Sequence, residues 1–248
     1  MSGARSEVKD DDASHEAAMS EAADKVAMIS GASRGIGAAI AEALAQGGWR
    51  LSLGVRRPEA MAPDASRLPC RFDALDPTSE AAWVARTVAH YGRIDAVVHN
   101  AGISVPKTVL DADDDDFDLL FGVNVKSPLR LTRAAWPHLV ATQGKVVTIA
   151  SLSGKRVKSA GSSFYALSKF AAVGLAHGLR QCGKEAGVRS TAICPGFVAT
   201  DMVAARGLNM AEITQPGDIA RIVRLVLELP PSASIAEIPV SWTVEDSF

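Results

Sequence analysis

Short apolar segments alternate with amphipathic helical segments from Lys25 onward, and this alternation restricts the chain to few architectures. Strands that are apolar on both faces need cover on both sides, which a parallel sheet obtains from the helices connecting its strands. The pattern therefore predicts a single α/β domain, a doubly wound parallel sheet of about seven strands with helices on both faces. The assigned strands are 26–30, 51–55, 96–99, 146–150 and 188–194, and the assigned helices are 36–46, 79–91, 114–135, 164–186 and 216–229.

The composition is that of an ordinary globular enzyme and argues against several other classes. With 248 residues, 48% of them hydrophobic, the chain has enough apolar material for one large core. Its net charge of −2 provides no basic footprint for nucleic acid or for a membrane surface. No apolar run reaches about 18 residues, and the N-terminus lacks the pattern of a signal peptide. We therefore expect a cytoplasmic protein with neither a nucleic-acid nor a membrane partner.

The first 24 residues differ from the rest because they are rich in acids and nearly free of large apolar side chains. We interpret 1–24 as a disordered acidic leader and 25–248 as the folded domain, with a partner-binding tail as the alternative for the leader. The three cysteines, Cys70, Cys182 and Cys194, lie far apart and lack the spacing of a zinc site. They predict buried free thiols and no metal.

The first predicted strand leads into the glycine-rich sequence Ser-Gly-Ala-Ser-Arg-Gly-Ile-Gly at 30–37. Glycines at a strand-to-helix turn let the backbone approach a ligand where a Cβ atom would clash. The exposed amides and the positive end of the following helix favour a phosphate group. A simple helix entry is the alternative, but the position after the first strand favours a nucleotide's pyrophosphate.

Tyr165 and Lys169 lie four residues apart in a predicted helix, a spacing that places both side chains on one face. A neighbouring ammonium stabilises the phenolate form of a tyrosine and so makes it a better general acid or base. A chance pairing of an aromatic side chain with a solvated charge is the alternative on spacing alone.

Several motifs, taken in order, resemble those of the short-chain dehydrogenase/reductase family. The glycine turn is followed by Asn100-Ala101-Gly102, by Asn124 in Val-Asn-Val, by Ser151 in Ile-Ala-Ser-Leu-Ser-Gly, by Tyr165-x-x-x-Lys169 and by Pro195-Gly196 with Val198, Thr200 and Asp201. The resemblance covers about 25–202 well and the C-terminal part more loosely. It implies a Rossmann-type fold and an NAD(P)-dependent oxidoreductase acting on CH–OH or C=O groups of a small molecule.

The resemblance implies four catalytic residues. Tyr165 would exchange the proton at the substrate oxygen, Lys169 would also bind the nicotinamide ribose, and Ser151 would hold the substrate oxygen. Asn124 would hold a water that relays protons to Lys169, although a buried amide that bridges two backbone segments is an alternative or coexisting role. Ser153 is the alternative to Ser151, which we prefer because it forms a Ser-x-x-Gly pattern with Gly154.

The end of the second predicted strand indicates which nicotinamide cofactor is preferred. Family members that prefer NAD place an acid about where Val55 stands, whereas this chain has no acid there and continues with Arg56. Arg56 and Arg34 would bind the 2′-phosphate through charge-assisted hydrogen bonds, which favours NADP(H) over NAD(H). The alternative is that Arg56 and Arg57 are solvated charges at the strand end and that the enzyme has no preference between NADP(H) and NAD(H).

The resemblance also implies contacts to the rest of the cofactor. Asp73 would accept a hydrogen bond from the adenine amino group, and Ala74 would lie against the ring. From its own position, Asp76 is expected to cap a helix that starts near Pro77. Val198 and Thr200 would contact the nicotinamide carboxamide or the pyrophosphate. The complete predicted cofactor-binding set is Gly31, Ser33, Arg34, Gly35, Ile36, Gly37, Arg56, Asp73, Ala74, Asn100, Ala101, Gly102, Tyr165, Lys169, Pro195, Gly196, Val198 and Thr200.

The remaining expectations concern the substrate lid and assembly. The apolar segment 202–214 suits a lid over the substrate. The helices at 114–135 and 164–186 correspond to the family's dimer interface, so we expect a homodimer or a homotetramer. The C-terminus lacks the Gly-Gly turn common in the family, which leaves the choice between them open. A silent NADP(H)-binding regulator of the same fold is the alternative function, and the presence of all four catalytic residues favours the enzyme.

Overall fold

The computed structural model describes residues 24–61, 64 and 66–244. The predicted acidic leader therefore lies outside the described residues except for Asp24, whose carboxylate pairs with Arg50 at 2.8 Å. None of the helices within these residues combines the length and the apolar character needed to cross a membrane.

Seven parallel strands form one sheet within the described residues, in the order β3-β2-β1-β4-β5-β6-β7. The chain order reverses between β1 and β4, and in such sheets ligands bind beyond the carboxyl ends of the strands at this point. The predicted doubly wound architecture is confirmed. The strands are β1 (Val26–Ser30), β2 (Arg50–Val55), β3 (Arg67–Arg71), β4 (Ala96–His99), β5 (Lys145–Ile149), β6 (Arg189–Pro195) and β7 (Glu237–Val240).

Helices cover both faces of the sheet because its strands are apolar on both sides. On one face the helix side chains Ile40, Leu44 and Val223 join a buried apolar cluster with β1 and β2. On the other face Trp83 and Leu131 do so with β4. The helices are α1 (Gly35–Gln46), α2 (Ser79–Tyr91), α3 (Asp114–Phe121), α4 (Ser127–Thr142), α5 (Ser163–Cys182) and α6 (Pro216–Glu228).

The predicted helix at 114–135 is wrong in two respects, because the helical segment is interrupted and extends further than expected. A π-helical segment, Gly122–Lys126, separates α3 from α4, and α4 continues to Thr142 with Pro137 inside it. Pro128 has no N–H and cannot donate the α-helical hydrogen bond to the carbonyl of Asn124. The wider turn before Pro128 is the local consequence, and such π segments occur often at functional sites.

Two smaller expectations also need correction. Helix α2 begins at Ser79, as assigned, but Asp76 does not cap it, because its carboxylate accepts hydrogen bonds from the Thr78 backbone N–H and hydroxyl. Cys70 and Cys194 are buried, and burial raises the pKa of the Cys194 thiol to about 11. Cys182 is exposed, because α5 ends there and not at Ala186 as predicted.

Candidate active site

A cavity of about 940 Å³ opens at the carboxyl ends of the strands. It lies where the chain order reverses, as the topology of the sheet requires. Every residue in the predicted catalytic and cofactor-binding sets lines this cavity except Gly37 and Asn124. Segments far apart in sequence therefore converge on one site.

The glycine turn between β1 and α1 depends on its glycines for two different reasons. Gly31 and Gly35 have φ angles of +68° and +55°, in the left-handed region where side chains with a Cβ are strained. At Gly37 a Cβ would lie 2.3 Å from the Gly31 carbonyl oxygen, so only glycine lets α1 approach the turn this closely. Asn100 stabilises the same turn because its Nδ2 donates to the carbonyls of Ser30 and Gly31 at 2.9 and 3.1 Å.

The N-terminus of α1 has the properties of a phosphate site. Arg34 occupies the N-cap position without a side-chain hydrogen bond to the helix, and the first turn contains no acidic residue. The first amides of a helix have no partner within the helix and favour an anion. On the facing segment, Thr200 Cγ2 lies 3.2 Å from where a Cβ of Gly35 would stand. These residues fit a dinucleotide whose diphosphate lies at the glycine turn.

The two candidate 2′-phosphate ligands have different surroundings. Arg34 donates to the carboxylate of Asp201 at 2.6 Å, and both side chains are more than two-thirds exposed. Arg56 follows the buried Val55 directly, is exposed, and forms no ion pair within the described part of the chain. Sequence reasoning placed Asp201 in a motif but did not anticipate its pairing with Arg34.

The candidate adenine site lies on the turn after β3. Asp73 Oδ1 accepts from the backbone N–H of Leu75 at 3.1 Å, while the backbone N–H of Asp73 donates to the Ser79 hydroxyl at 2.8 Å. Ala74 is 9% exposed. The turn is thus held by short local hydrogen bonds with Asp73 lining the cavity.

Tyr165 and Lys169 lie on the first half of α5 and both line the cavity. The Lys169 ammonium is buried, donates to the carbonyl of Ile149 at 3.1 Å, and lies 5.7 Å from the centroid of the Tyr165 ring. A buried ammonium with few local partners is costly unless further acceptors reach it. The pair is therefore placed to act on groups in the cavity.

Ser151, and not Ser153, lines the cavity. Its hydroxyl oxygen accepts from the backbone N–H of Ser153 at 3.0 Å, and the hydroxyl lies 3.4 Å from the carbonyl of Pro195 as a long hydrogen bond. The weak donor contact leaves the hydroxyl proton available to another acceptor. This geometry favours Ser151 over Ser153 as the residue that would contact the substrate oxygen.

Asn124 lies behind the cavity wall, and its side chain makes three hydrogen bonds within the protein. Its Oδ1 accepts from the Ile103 N–H, and its Nδ2 donates to the Ile103 carbonyl and to the Ser168 hydroxyl, each at 3.0 Å. Ser168 in turn donates to the carbonyl of Tyr165 at 2.8 Å. The side chain thus bridges backbone segments, as the alternative interpretation predicts. Sequence reasoning missed Ser168, whose only signal was its position inside the Tyr165–Lys169 motif.

The predicted lid, 202–214, begins beside the site, and its C-terminal end pairs with the chain just before its start. Val198 and Thr214 form an isolated parallel bridge, and the Ala199 N–H donates to the carbonyl of Thr214 at 2.9 Å. The segment between them contains turns and a short 3-10 helix, Ala204–Arg206, and exposes Met202. Met202 and Val203 line the cavity.

A doubly wound parallel sheet with a glycine turn at its switch point defines a nucleotide-binding protein of the Rossmann type. Within that class, the chain belongs to the short-chain dehydrogenase family, whose profile, described as short chain dehydrogenase, matches residues 25–211. The resemblance seen in the sequence is confirmed.

Curated relatives carry the names of reductases and oxidoreductases. Agropine synthesis reductase of Rhizobium rhizogenes is 42% identical over 218 residues. The match covers 85% of this chain and 50% of that protein, so the chain spans about half the length of this relative. Oxidoreductase UcpA of Escherichia coli K12 is 34% identical over 88% of this chain and 85% of its own length.

Solved structures of the family superimpose closely on this fold. An alcohol dehydrogenase from the archaeon Thermococcus sibiricus, complexed with 5-hydroxy-NADP, has a TM-score of 0.80 and 28% identity, covering 90% of this chain and 99% of the other. A short-chain dehydrogenase from Burkholderia cenocepacia J2315 in complex with NADP has a TM-score of 0.79 and 29% identity, covering 89% and 98%.

Proposed function

We propose that the chain is an NADP(H)-dependent oxidoreductase that interconverts a carbonyl and an alcohol, with Tyr165 as the general acid and base. The observation that carries the proposal is the convergence of Ser151, Tyr165 and Lys169 on the same cavity as the glycine turn. A nicotinamide dinucleotide supplies or accepts the hydride when it is bound. The protein's own task is then to orient the substrate oxygen and to move one proton.

Tyr165 would give its phenolic proton to the oxygen of a carbonyl as the hydride arrives, and would take it back in the reverse direction. Lys169 supports this role because its buried ammonium lies 5.7 Å from the phenol ring. Ser151 would donate to the same oxygen, a contact that becomes stronger as negative charge develops there.

Asn124 supports the proton path through its backbone. Its side chain already makes three hydrogen bonds within the protein, whereas Pro128 lacks the N–H that would normally bond the Asn124 backbone carbonyl. A carbonyl freed in this way suits a relay water on the way to Lys169. The side chain would hold the π-helical segment in place.

The preference for NADP(H) is supported by charge. Arg56 offers a guanidinium without an ion-pair partner in the described residues, and no carboxylate stands at Val55 to bind a free ribose hydroxyl. Arg34 provides a second guanidinium once it leaves Asp201. The NADP complex of the Burkholderia cenocepacia relative adds support from a similar fold.

We also propose that the chain forms a homo-oligomer through α3 and α5. Phe117, Leu167 and Phe170 on these helices are more than 40% exposed, and Phe117 stacks on Phe121 with ring centroids 4.1 Å apart. Large exposed apolar groups on adjoining helices are typical of an interface. Light scattering of wild type and a Leu167→Asp/Phe170→Asp variant tests this assembly. A monomeric wild type contradicts it.

Two further parts of the proposal concern the substrate lid and the cellular compartment. We propose that 202–214 covers the substrate, since Met202 and Val203 line the cavity. The free buried thiols Cys70 and Cys194 fit a reducing compartment such as the cytoplasm, and cell fractionation tests that placement.

The central test follows NADPH absorbance with a panel of aldehydes, ketones, diketones and quinones. We expect wild-type turnover with at least one carbonyl and a loss of at least about 100-fold in Tyr165→Phe. Tyr91→Phe is the matched control, because Tyr91 is the only other tyrosine and its hydroxyl donates to the Leu51 carbonyl at 3.2 Å. NADPH binding without turnover across the panel favours the silent regulator, and equal efficiency with NADH contradicts the cofactor preference.

A further inference from the structure

Arg130 of α4 reaches the turn that carries the candidate adenine site, although it does not line the cavity. One of its nitrogens, Nη2, lies 2.8 Å from the carbonyl oxygen of Ala74 and 2.8 Å from Oε1 of Glu80. The contact to Ala74 connects positions 56 residues apart in sequence. The guanidinium therefore ties the turn after β3 to two helices, α4 and α2.

The pair of Arg130 and Glu80 is poorly suited to a purely stabilising role. The Glu80 side chain is 1% exposed, so its charge is removed from water, yet Glu80 Oε2 and Arg130 Nε lack hydrogen-bond partners among the described residues. A buried ion pair with unsatisfied atoms adds little stability compared with an apolar pair of the same size. Its position against the turn points to a different role.

A single peptide group connects Arg130 to Asp73. Arg130 binds the carbonyl of the peptide between Ala74 and Leu75, and the N–H of the same peptide donates to Asp73 Oδ1 at 3.1 Å. A peptide group is planar and rigid, so fixing its carbonyl also fixes the direction of its N–H. The guanidinium thereby sets the orientation of the Asp73 carboxylate.

We infer that Arg130, with Glu80 as its counter-ion, is a positioning residue for the adenosine half of the cofactor. This inference rests on the proposed function, because it assumes that Asp73 and Ala74 receive the adenine ring. Arg130 does not line the cavity, so it should not reach a 2′-phosphate and should increase the affinity for NADPH and NADH alike. Arg56, by contrast, would distinguish the two.

The test is calorimetric binding of NADPH, NADH and the isolated adenosine half, adenosine 2′,5′-bisphosphate, to the whole protein. Arg130→Lys keeps the charge opposite Glu80 but loses the geometry that lets one guanidinium nitrogen serve both acceptors. Glu80→Gln/Arg130→Met removes both charges and so avoids an orphaned carboxylate if the single variant folds poorly. We expect each variant to weaken all three ligands by about tenfold and to leave the NADPH-to-NADH affinity ratio unchanged.

Two further variants separate positioning from general destabilisation. Arg93 forms an ion pair with the buried Asp95 at the amino ends of the strands, far from the cavity. Arg93→Lys should therefore lower the melting temperature without changing the affinity for the bisphosphate. Lys169→Ala removes the proposed contact to the nicotinamide ribose, so it should weaken NADPH binding and leave the affinity for the bisphosphate unchanged.

The outcomes are distinct for the two proposals. Unchanged bisphosphate affinity in both Arg130 variants overturns the positioning role while leaving the proposed function intact. A loss of affinity for NADPH alone also overturns it, because that result would assign Arg130 to the 2′-phosphate site. A wild-type protein that binds neither dinucleotide nor the bisphosphate overturns both proposals.

Discussion

The side-chain amide of Asn124 donates to the hydroxyl of Ser168 at 3.0 Å and so joins the π-helical segment to the helix that carries Tyr165 and Lys169. The Ser168 hydroxyl itself donates to the backbone carbonyl of Tyr165 at 2.8 Å. Ser168 does not line the cavity, yet it connects the segment of the proposed relay to the helix of the proposed proton donor.

Ser168→Ala should leave one Asn124 N–H without its acceptor. We expect a loss of about 1–3 kcal/mol in the free energy of unfolding, because the orphaned donor is buried, together with reduced turnover. Denaturant titration and steady-state kinetics measure the two effects. Ser190→Ala is the control, since the Ser190 hydroxyl is buried without a partner in the described residues and its removal should be nearly neutral. Equal effects in the two variants would contradict the bridge.

Asp201→Asn should increase the affinity for NADPH. Asp201 holds Arg34 in an exposed ion pair, so it competes with the 2′-phosphate for the same guanidinium. Exposed pairs contribute little, and we expect a gain of only about two- to fivefold, with NADH affinity unchanged. Fluorescence titration with both cofactors measures it. Weaker NADPH binding in the variant would show that Asp201 aids the cofactor site.

His99 should make the protein less stable in acid. It is buried at the end of β4 between the hydroxyls of Thr132 and Thr148, and burial lowers its pKa from 6.5 to about 3. Between these values the unfolded chain binds the proton and the folded chain does not, so stability falls as the pH drops from about 6.5 towards 3.

The measurement is urea unfolding between pH 7 and pH 4. We expect His99 to account for about 3 kcal/mol of the loss over this range, a slope that His99→Gln should remove. His90→Gln, which changes an exposed histidine of α2, is the control and should retain the slope. Parallel pH profiles for wild type and His99→Gln would refute the prediction.

Gly37→Ala should disrupt the glycine turn. The added Cβ would lie 2.3 Å from the Gly31 carbonyl oxygen, so either α1 or the turn must move. We expect a loss of about 1–3 kcal/mol in stability and weaker NADPH binding. Gly217→Ala in α6 meets no atom within 4 Å and should be neutral or slightly stabilising. Thermal melts and NADPH titrations compare the two, and intact binding in Gly37→Ala would speak against the required close approach.

Features encoded locally were predictable from the sequence. The apolar runs of β1 and β4 predict those strands to the residue, and the Tyr165–Lys169 spacing places both side chains on one helix. The glycine turn follows from its three glycines and its position after β1. In each case the signal lies within a few neighbouring residues.

Features that depend on distant partners were not predictable. Arg34 meets Asp201 across 167 positions, Asn124 meets Ser168 across 44, and Arg130 meets Ala74 across 56. A charged or polar side chain can bond any complementary group that the fold brings near, so sequence alone does not name its partner. The π-helical segment was not predicted, because one wider turn hardly changes the hydrophobic periodicity of a helix. Pro128 was the only local sign of an irregular turn.

The bridge between Val198 and Thr214 joins the C-terminal end of the predicted lid, 202–214, to the chain shortly before its start. Val198 and Thr200 belong to the predicted cofactor set, and Thr200 lies against Gly35 of the glycine turn, so the start of this loop is tied to the cofactor site. The predicted lid itself contains none of the predicted cofactor contacts. If 202–214 covers the substrate as proposed, exchanging only these residues should change substrate selectivity and keep the cofactor contacts.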